Sequence, residues 1–142
     1  MTKPILVPID LNHESSWRKA LPRAVDLARA DGVGLCLLNV IPDFGMSIVG
    51  SYFPEDFSEK AEKEGRAALD DLAARLVPDD VEVDCEVVHG TIYKGILQVA
   101  RQRGCDLIVL ASHRSDMKDY LIGPNAARVA RHATCSVLIV RE

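Results

Sequence analysis

The sequence predicts an α/β fold in which a five-stranded parallel sheet is covered by four helices. Short apolar runs alternate with helix-length amphipathic segments along all 142 residues, and most of these runs are too apolar to face water on either side. Such alternation produces parallel strands with helices on both faces of the sheet, a three-layer sandwich. Right-handed crossovers with one reversal of the winding direction then give the strand order 3-2-1-4-5.

The composition is that of one folded domain, residues 1–142, and it argues against several functional classes. Hydrophobic residues make up 48% and charged residues 27% of the chain, which is typical of globular proteins. The net charge of −4 argues against nucleic acid as a partner. No apolar run approaches the roughly 20 residues of a membrane helix, and the first residues do not resemble a signal peptide. We therefore expect a cytoplasmic protein that binds no nucleic acid and no membrane.

Four cysteines are scattered singly along the sequence, without a Cys-x-x-Cys pair: Cys36, Cys85, Cys105 and Cys135. Thiols at metal or redox sites usually occur at short, fixed spacings, whereas an isolated cysteine packs as a small hydrophobic side chain. We expect free, buried thiols and no metal site.

The first strand is predicted at Ile5–Asp10, where an apolar run ends at an acidic residue. Pro8 cannot donate a ladder hydrogen bond, so the strand is expected to loosen near its carboxyl end. The following helix is expected to be capped by Ser15 or Ser16, because a hydroxyl can accept a hydrogen bond from the free amides of a first turn. Pro22 lies inside this helix and is expected to bend it or to shift its start.

The second strand is predicted at Val33–Val40, after a helix end at Asp31-Gly32. No periodicity follows from residue 41 to residue 54. This segment is either a loop that lies on the body of the domain, or a lid or a surface for a partner. A long helix from Glu55 to about Val77 comes next. Its apolar face is expected to contain Phe57, Ala61, Ala68, Leu72 and Leu76.

The rest of the chain supplies three further strands. Apolar and acidic residues alternate over 81–87, which indicates an edge strand protected by its charges. A helix capped by Thr91 precedes a buried strand at 107–110. The last helix is predicted to begin at Pro124, because proline suits the first position of a helix, and the last strand is predicted at 136–140.

Ligands of such a sheet bind outside the carboxyl ends of the strands, at the point where the winding reverses. Here that point lies between the first strand, which ends at Asp10, and the fourth strand, which ends at residues 111–113. Val40 ends the second strand beside them. After the fourth strand, a charged loop is closed by Gly123 and leads into a helix start, where unpaired backbone N–H groups can bind phosphate.

The sequence resembles the universal stress protein family over its whole length. The resemblance rests on Val7-Pro8-Ile9-Asp10, Cys105-Asp106-Leu107-Ile108-Val109, Ala111-Ser112-His113-Arg114, Tyr120-Leu121-Ile122-Gly123, Arg128-Val129-Ala130-Arg131-His132-Ala133 and Cys135-Ser136-Val137-Leu138-Ile139-Val140. The Ser-His-Arg loop looks like that of a small enterobacterial-type subgroup. The resemblance implies the flavodoxin-like, Rossmann-like form of the fold predicted above. It also implies a homodimer through strand 136–140, and no metal.

Some members of this family bind ATP through a signature of the form Gly-x2-Gly-x9-Gly-[Ser/Thr], and this sequence departs from it. Ala111 replaces the first glycine, and the second is missing because Arg114 directly follows His113. Pro124 replaces the final Ser/Thr after the retained Gly123. Arg114 can hold a phosphate in a bidentate fork, whereas Pro124 removes one N–H and one hydroxyl. A hydrogen bond to a charged group is worth roughly 1.5–3 kcal/mol, which is about tenfold to a hundredfold in affinity.

The resemblance and the sheet edge together predict a site for an adenine nucleotide (ATP, ADP or AMP), with or without magnesium, in a small stress-response regulatory protein. The predicted adenine contacts are Pro8, Ile9, Asp10 and Val40. The predicted ribose and phosphate contacts are Ala111, Ser112, His113, Arg114, Gly123, Pro124, Asn125 and Ala126. The alternative is a nucleotide-free dimeric interaction module of the same family, which acts through its last strand and the apolar segment 44–53. Neither hypothesis names the protein that is regulated.

Several polar residues permit two interpretations. Asp10 either accepts the amino group of adenine, as the resemblance implies, or caps the turn after the first strand. His113 either lines the nucleotide site or is a polar loop residue. Asp116 and Asp119 are expected to be solvated rather than to hold magnesium. The other histidines are expected to be structural or solvated: His13, His89 and His132. No Ser/His/Asp or Cys/His arrangement is supported by spacing, so we expect no enzyme activity beyond at most weak ATP hydrolysis or autophosphorylation.

Overall fold

A computed structural model describes residues 3–42, 55–112 and 122–141, with the side chains of 55–58 and 122–124 left out of the description. The strands are β1 (Ile5–Pro8), β2 (Leu35–Pro42), β3 (Val83–Gly90), β4 (Leu107–Ser112) and β5 (Ser136–Arg141). The helices are α1 (Ala20–Asp31), α2 (Glu55–Leu76), α3 (Ile92–Gln102) and α4 (Ile122–His132), and a 3₁₀ turn spans Glu14–Ser16. The segment 42–54 and the loop that holds His113 and Arg114 lie almost wholly outside the described residues.

The five strands form one parallel sheet in the order β3-β2-β1-β4-β5, which confirms the predicted topology. β1 lies at the centre, where Pro8 is paired with Leu38 of β2 and Leu6 is paired with Ile108 of β4. β1 ends at Pro8, as its missing N–H predicted. The winding reverses between β1 and β4, so the predicted ligand edge of the sheet is formed.

Two apolar layers cover the two faces of the sheet, because alternate strand residues point to opposite sides. On one face, Val7 and Leu37 pack with α1 and α2 residues such as Leu21 and Leu69. On the other face, the layer joins the sheet to α3 and α4 and contains Leu6, Cys36, Leu38, Ile96, Ile108, Leu110 and Val129. No helix in the described ranges is both long and apolar enough to cross a membrane.

The two edge strands differ in how they meet solvent. On β3, Arg103 from the end of α3 contacts Glu86 at 2.7 Å and Asp84 at 3.3 Å, so the acidic residues that predicted an edge strand are held by a cation. On β5, the four central residues 137–140 are apolar and only half-buried. An apolar edge with unpaired backbone groups is available to a further strand.

The predicted start of the first helix is wrong. Ser15 and Ser16 do not cap it; α1 begins at Ala20, preceded by Lys19, which makes no side-chain capping bond. Pro22 therefore lies in the first turn, where its absent N–H would have had no helical partner. The helix ends at Gly32, whose φ of 66° is the left-handed conformation expected of a terminating glycine.

The predicted inner face of α2 is also partly wrong. Ala68 is exposed and Leu76 is 44% exposed, whereas Gly65, Leu69 and Leu72 are buried. The buried stripe is centred about one residue further along than the sequence suggested, because Gly65 and not a large side chain faces the sheet. Elsewhere β2 and β3 begin two residues later than predicted, and α4 begins at Ile122, two residues before Pro124.

Candidate functional site

The loop after β1 is organised by a buried serine. The Ser16 hydroxyl accepts a hydrogen bond from the backbone N–H of Asp10 at 2.9 Å and donates to the Asp10 carbonyl at 3.1 Å. Both residues are buried, with 0% of Ser16 and 4% of Asp10 exposed. Ser16 thus supplies hydrogen-bond partners to both backbone groups of Asp10 and holds this residue at the edge of the sheet.

The Asp10 carboxylate is engaged by its own loop. Its Oδ2 lies 2.9 Å from His13 Nδ1, and its Oδ1 accepts the backbone N–H of Asn12 at 3.1 Å. The structure therefore places Asp10 in the turn-capping role, one of the two interpretations of this residue. The His13 ring is held in the same loop, in agreement with its expected structural role. Contact of Asp10 with an adenine amino group stays a prediction.

A cleft of about 390 Å³ opens between this loop, the end of β2 and α2. Three of the predicted adenine contacts line it: Ile9, Asp10 and Val40. Its other described lining residues are Leu11, Asn12, Asn39, Ile41, Pro42, Ala61, Glu64, Gly65 and Ile92. Pro8, the fourth predicted adenine contact, is absent from this lining. The floor is apolar and the rim is polar, as in small-molecule sites.

The contribution of α2 was missed by the sequence analysis. A β-carbon on Gly65 would lie 3.4 Å from Asn39 Oδ1 and 3.6 Å from a Val87 methyl, so this turn of the helix lies directly against β2 and β3. Asn39 in turn donates from Nδ2 to the Ile9 carbonyl at 3.1 Å and ties the ends of β1 and β2 together. A glycine in the middle of a helix lowers its stability by about 1 kcal/mol relative to alanine. Gly65 inside the predicted helix was therefore the sequence feature that could have indicated a close approach.

Those of the predicted ribose and phosphate contacts that the structure describes lie across β1, on the β4 side. Ser112 ends β4 and is half-buried, and Ala111 is buried among the apolar residues of the α1–α2 face. The methyl that replaces the first signature glycine is therefore accommodated in the core. Asn125 and Ala126 lie in the first turns of α4, half-buried and buried respectively. None of these four residues is among the described lining of the cleft.

Gly123 and Pro124 lie in the first turn of α4. The first N–H groups of a helix have no intrahelical partner, and α4 offers them at the carboxyl edge of the sheet with the amide of Pro124 missing. His113 and Arg114, together with Asp116 and Asp119, fall outside the described residues, so their predicted roles stay predictions.

The remaining histidines take part in surface contacts. His89 Nε2 lies 3.7 Å from Glu62, and the His132 ring lies 5.9 Å from the ring of Tyr93. Arg128 covers the same Tyr93 ring at 5.6 Å, a cation–π geometry. The first contact joins β3 to α2 and the other two join α3 to α4, in agreement with the structural roles expected for both histidines.

All four cysteines are free; Cys36, Cys85 and Cys105 are buried, and Cys135 is half-buried. Burial raises the pKa of the Cys36 thiol to about 12 and that of the Cys105 thiol to about 11, so both are protonated at neutral pH. Within the three described ranges, no cluster of three or more His, Cys, Asp or Glu side chains could hold a metal ion.

A second cavity, of about 660 Å³, lies at the opposite edge of the sheet. It is lined by the ends of α3 and α4 and by residues such as Cys105, His132 and Ser136. None of the predicted site residues lies there. In open parallel sheets, ligands bind at the carboxyl edge, so we place the candidate site in the smaller cleft.

Comparison with known proteins identifies the family. The sequence profile of the universal stress protein family matches residues 1–141. The chain belongs to the universal stress protein family. Universal stress protein G of Shigella flexneri is 31% identical over 144 residues, which cover 99% of this chain and 100% of that protein.

Solved structures of universal stress proteins share the fold. UspA from Lactobacillus plantarum superposes with a TM-score of 0.73 at 23% identity, covering 99% of both chains. A universal stress protein in complex with cAMP gives 0.61 at 22% identity over 99% of this chain and 97% of the other. One from Archaeoglobus fulgidus in complex with dAMP gives 0.64 at 17% identity over 96% and 95%. Two structural relatives with the fold of this protein therefore bind adenine nucleotides.

Proposed function

We propose that this universal stress protein binds an adenine nucleotide at the carboxyl edge of its sheet, as a small cytoplasmic stress-response regulator without a dedicated enzymatic activity. The observation that carries the proposal is the cleft over the ends of β1 and β2, whose apolar floor of Ile9, Val40 and Ile92 suits a purine base. The complexes of relatives with cAMP and dAMP support it. The four free thiols fit a reducing compartment.

The base would lie against Ile9 and Val40, and the phosphates would lie over the end of β4 and the first turn of α4. This direction follows from the strand order, since β4 and the helix that follows it offer the unpaired N–H groups that phosphate prefers. Arg114 is a further predicted phosphate contact, because a guanidinium can hold a phosphate in a bidentate fork. The enterobacterial relatives of about 31% identity support the proposed subgroup.

Calorimetric titration with AMP, ADP and ATP, with and without magnesium, tests this proposal. Stronger binding of ATP than of AMP would show that the altered phosphate loop still holds the outer phosphates. Equal binding of all three would place the binding energy in the base and ribose. Absence of binding at millimolar nucleotide would refute the proposal.

A second candidate function, a nucleotide-free dimeric interaction module, is favoured by β5. Residues 137–140 offer an apolar, half-buried edge strand, and pairing with β5 of a second copy would cover it symmetrically. We propose a homodimer of this kind for either function. Light scattering on the eluting protein should give twice the 15.6 kDa chain mass; the mass of one chain would contradict the dimer.

A further inference from the structure

The position of the cleft relative to β1 and β4 indicates which part of a nucleotide it would hold. Its described lining comes from the β1 loop, the end of β2 and α2, whereas the proposed phosphate end lies at β4, on the other side of β1. Neighbouring strands are about 4.8 Å apart, so the ends of β2 and β4 are separated by about 10 Å. The part of a nucleotide over β2 is consequently the part farthest from its phosphate, which is the base.

The base therefore lies beside a rim that contains two carboxylates, Asp10 and Glu64. The oxygens of Asp10 already accept His13 Nδ1 and the Asn12 N–H. Glu64 is different: it is exposed on α2 at the mouth of the cleft, directly before Gly65. The close approach of Gly65 to Asn39 brings this turn of the helix over the end of β2. No Lys, Arg or His of the described residues forms an ion pair with Glu64.

We propose that Glu64 is a specificity-determining residue of the cleft, which accepts a hydrogen bond from the 6-amino group of adenine and so selects adenine over 6-oxopurines. The inference rests on the proposed function. An ionised carboxylate only accepts hydrogen bonds. It stabilises a ring substituent that carries N–H and repels the carbonyl oxygen that hypoxanthine and guanine carry at the same position. Discrimination of this kind comes from attraction to one ligand and repulsion of the other.

AMP and inosine monophosphate test this assignment, because they share the ribose and the phosphate and differ only at the 6-edge of the purine: AMP has an amino group at position 6 and an acceptor at N1, whereas inosine monophosphate has an oxo group and an N1–H. In calorimetric titrations, the wild-type protein should bind AMP at least about tenfold more tightly than inosine monophosphate, since a hydrogen bond to a charged group is worth this much in affinity. Glu64→Ala should bring the ratio of the two dissociation constants close to one, chiefly through weaker binding of AMP.

Two further variants separate this role from a general effect of charge. Glu64→Gln keeps an acceptor and adds a donor, so it should retain most of the AMP affinity and gain affinity for inosine monophosphate. Glu59→Ala is the matched control: Glu59 is exposed on the same helix, and five residues of α-helix turn it about 140° away from Glu64. It should leave both affinities unchanged. Circular dichroism should report the same helical content in all variants.

The outcomes distinguish this inference from the proposed function. If the wild type binds AMP but does not prefer it, or if Glu64→Ala leaves the preference intact, the assignment of Glu64 is wrong and nucleotide binding stands. If the wild type binds neither nucleotide, the proposed function is refuted, and the role of Glu64 with it.

Discussion

Removal of the Ser16 hydroxyl should destabilise the protein more than any other single-oxygen deletion in the β1 loop. In Ser16→Ala, the hydrogen bonds of 2.9 and 3.1 Å to the Asp10 backbone are lost. The Asp10 carbonyl keeps its hydrogen bond from the His13 N–H at 3.0 Å, but the buried Asp10 N–H loses its hydrogen bond to the Ser16 hydroxyl. The loss of two buried hydrogen bonds, at about 1–1.5 kcal/mol each, gives a destabilisation of about 2–3 kcal/mol.

Urea unfolding followed by circular dichroism measures this loss, and thermal unfolding should show a midpoint lowered by roughly 3–5 °C per kcal/mol for a chain of this length. Ser15→Ala is the matched control, because Ser15 is adjacent but only half-buried and makes none of these bonds. It should change the free energy of unfolding by less than about 0.5 kcal/mol. Equal effects of the two substitutions, or no effect of Ser16→Ala, would refute the assigned role of Ser16.

Other substitutions test the helices, the core thiols and the phosphate end of the site. Gly95→Ala should lower the unfolding free energy, because its new methyl would lie 3.2 Å from both methyls of Val40. Gly65→Ala makes only contacts of 3.4–3.7 Å, so it should raise the unfolding free energy by up to about 1 kcal/mol in urea titrations. The free energy of unfolding should fall as pH rises from about 9 towards 12. Unfolded cysteines ionise near pH 8.5, whereas folded Cys36 keeps its proton up to a pKa of about 12. Cys36→Ala should reduce this fall, and an unchanged dependence of the unfolding free energy on pH would contradict the explanation. Pro124→Ser should strengthen nucleotide binding by about tenfold, since it restores an N–H and a hydroxyl at the helix start; unchanged calorimetric affinity would count against the proposed phosphate position.

Much of the fold could be predicted because the pattern of apolar and charged residues in a strand reflects the position of that strand in the sheet. The acidic alternation before Gly90 predicted an edge strand, and β3 is at the edge because only an edge tolerates a charged face. Gly32 ended α1 as expected, with a φ of 66°. The reversal of the winding between β1 and β4 is confirmed, and it forms the sheet edge at which the candidate site was predicted.

The errors occurred where a side chain had two possible partners. A serine before a helical pattern usually caps the helix, but Ser16 bonds to Asp10 six residues earlier. The choice between these partners depends on how the β1 loop folds over the sheet. In α2, the apolar spacing allowed two neighbouring faces, and the packing of Gly65 against Asn39 and Val87 selected one of them.

The strand order and the central position of β1 could be predicted from the sequence by itself. The prediction rests on the alternation of strands and helices, on apolar runs and on turn residues, all of which depend on contacts within a few residues. It also predicted Ile9, Asp10 and Val40 as neighbours, since they were expected at the carboxyl ends of two adjacent strands, and all three line the cleft. Only the tertiary structure decided that the Asp10 carboxylate is held by His13 and Asn12, and that Glu64 stands at the rim of the cleft. Both facts depend on how closely a loop and a helix approach the sheet, a distance set by the packing of residues far apart in the chain.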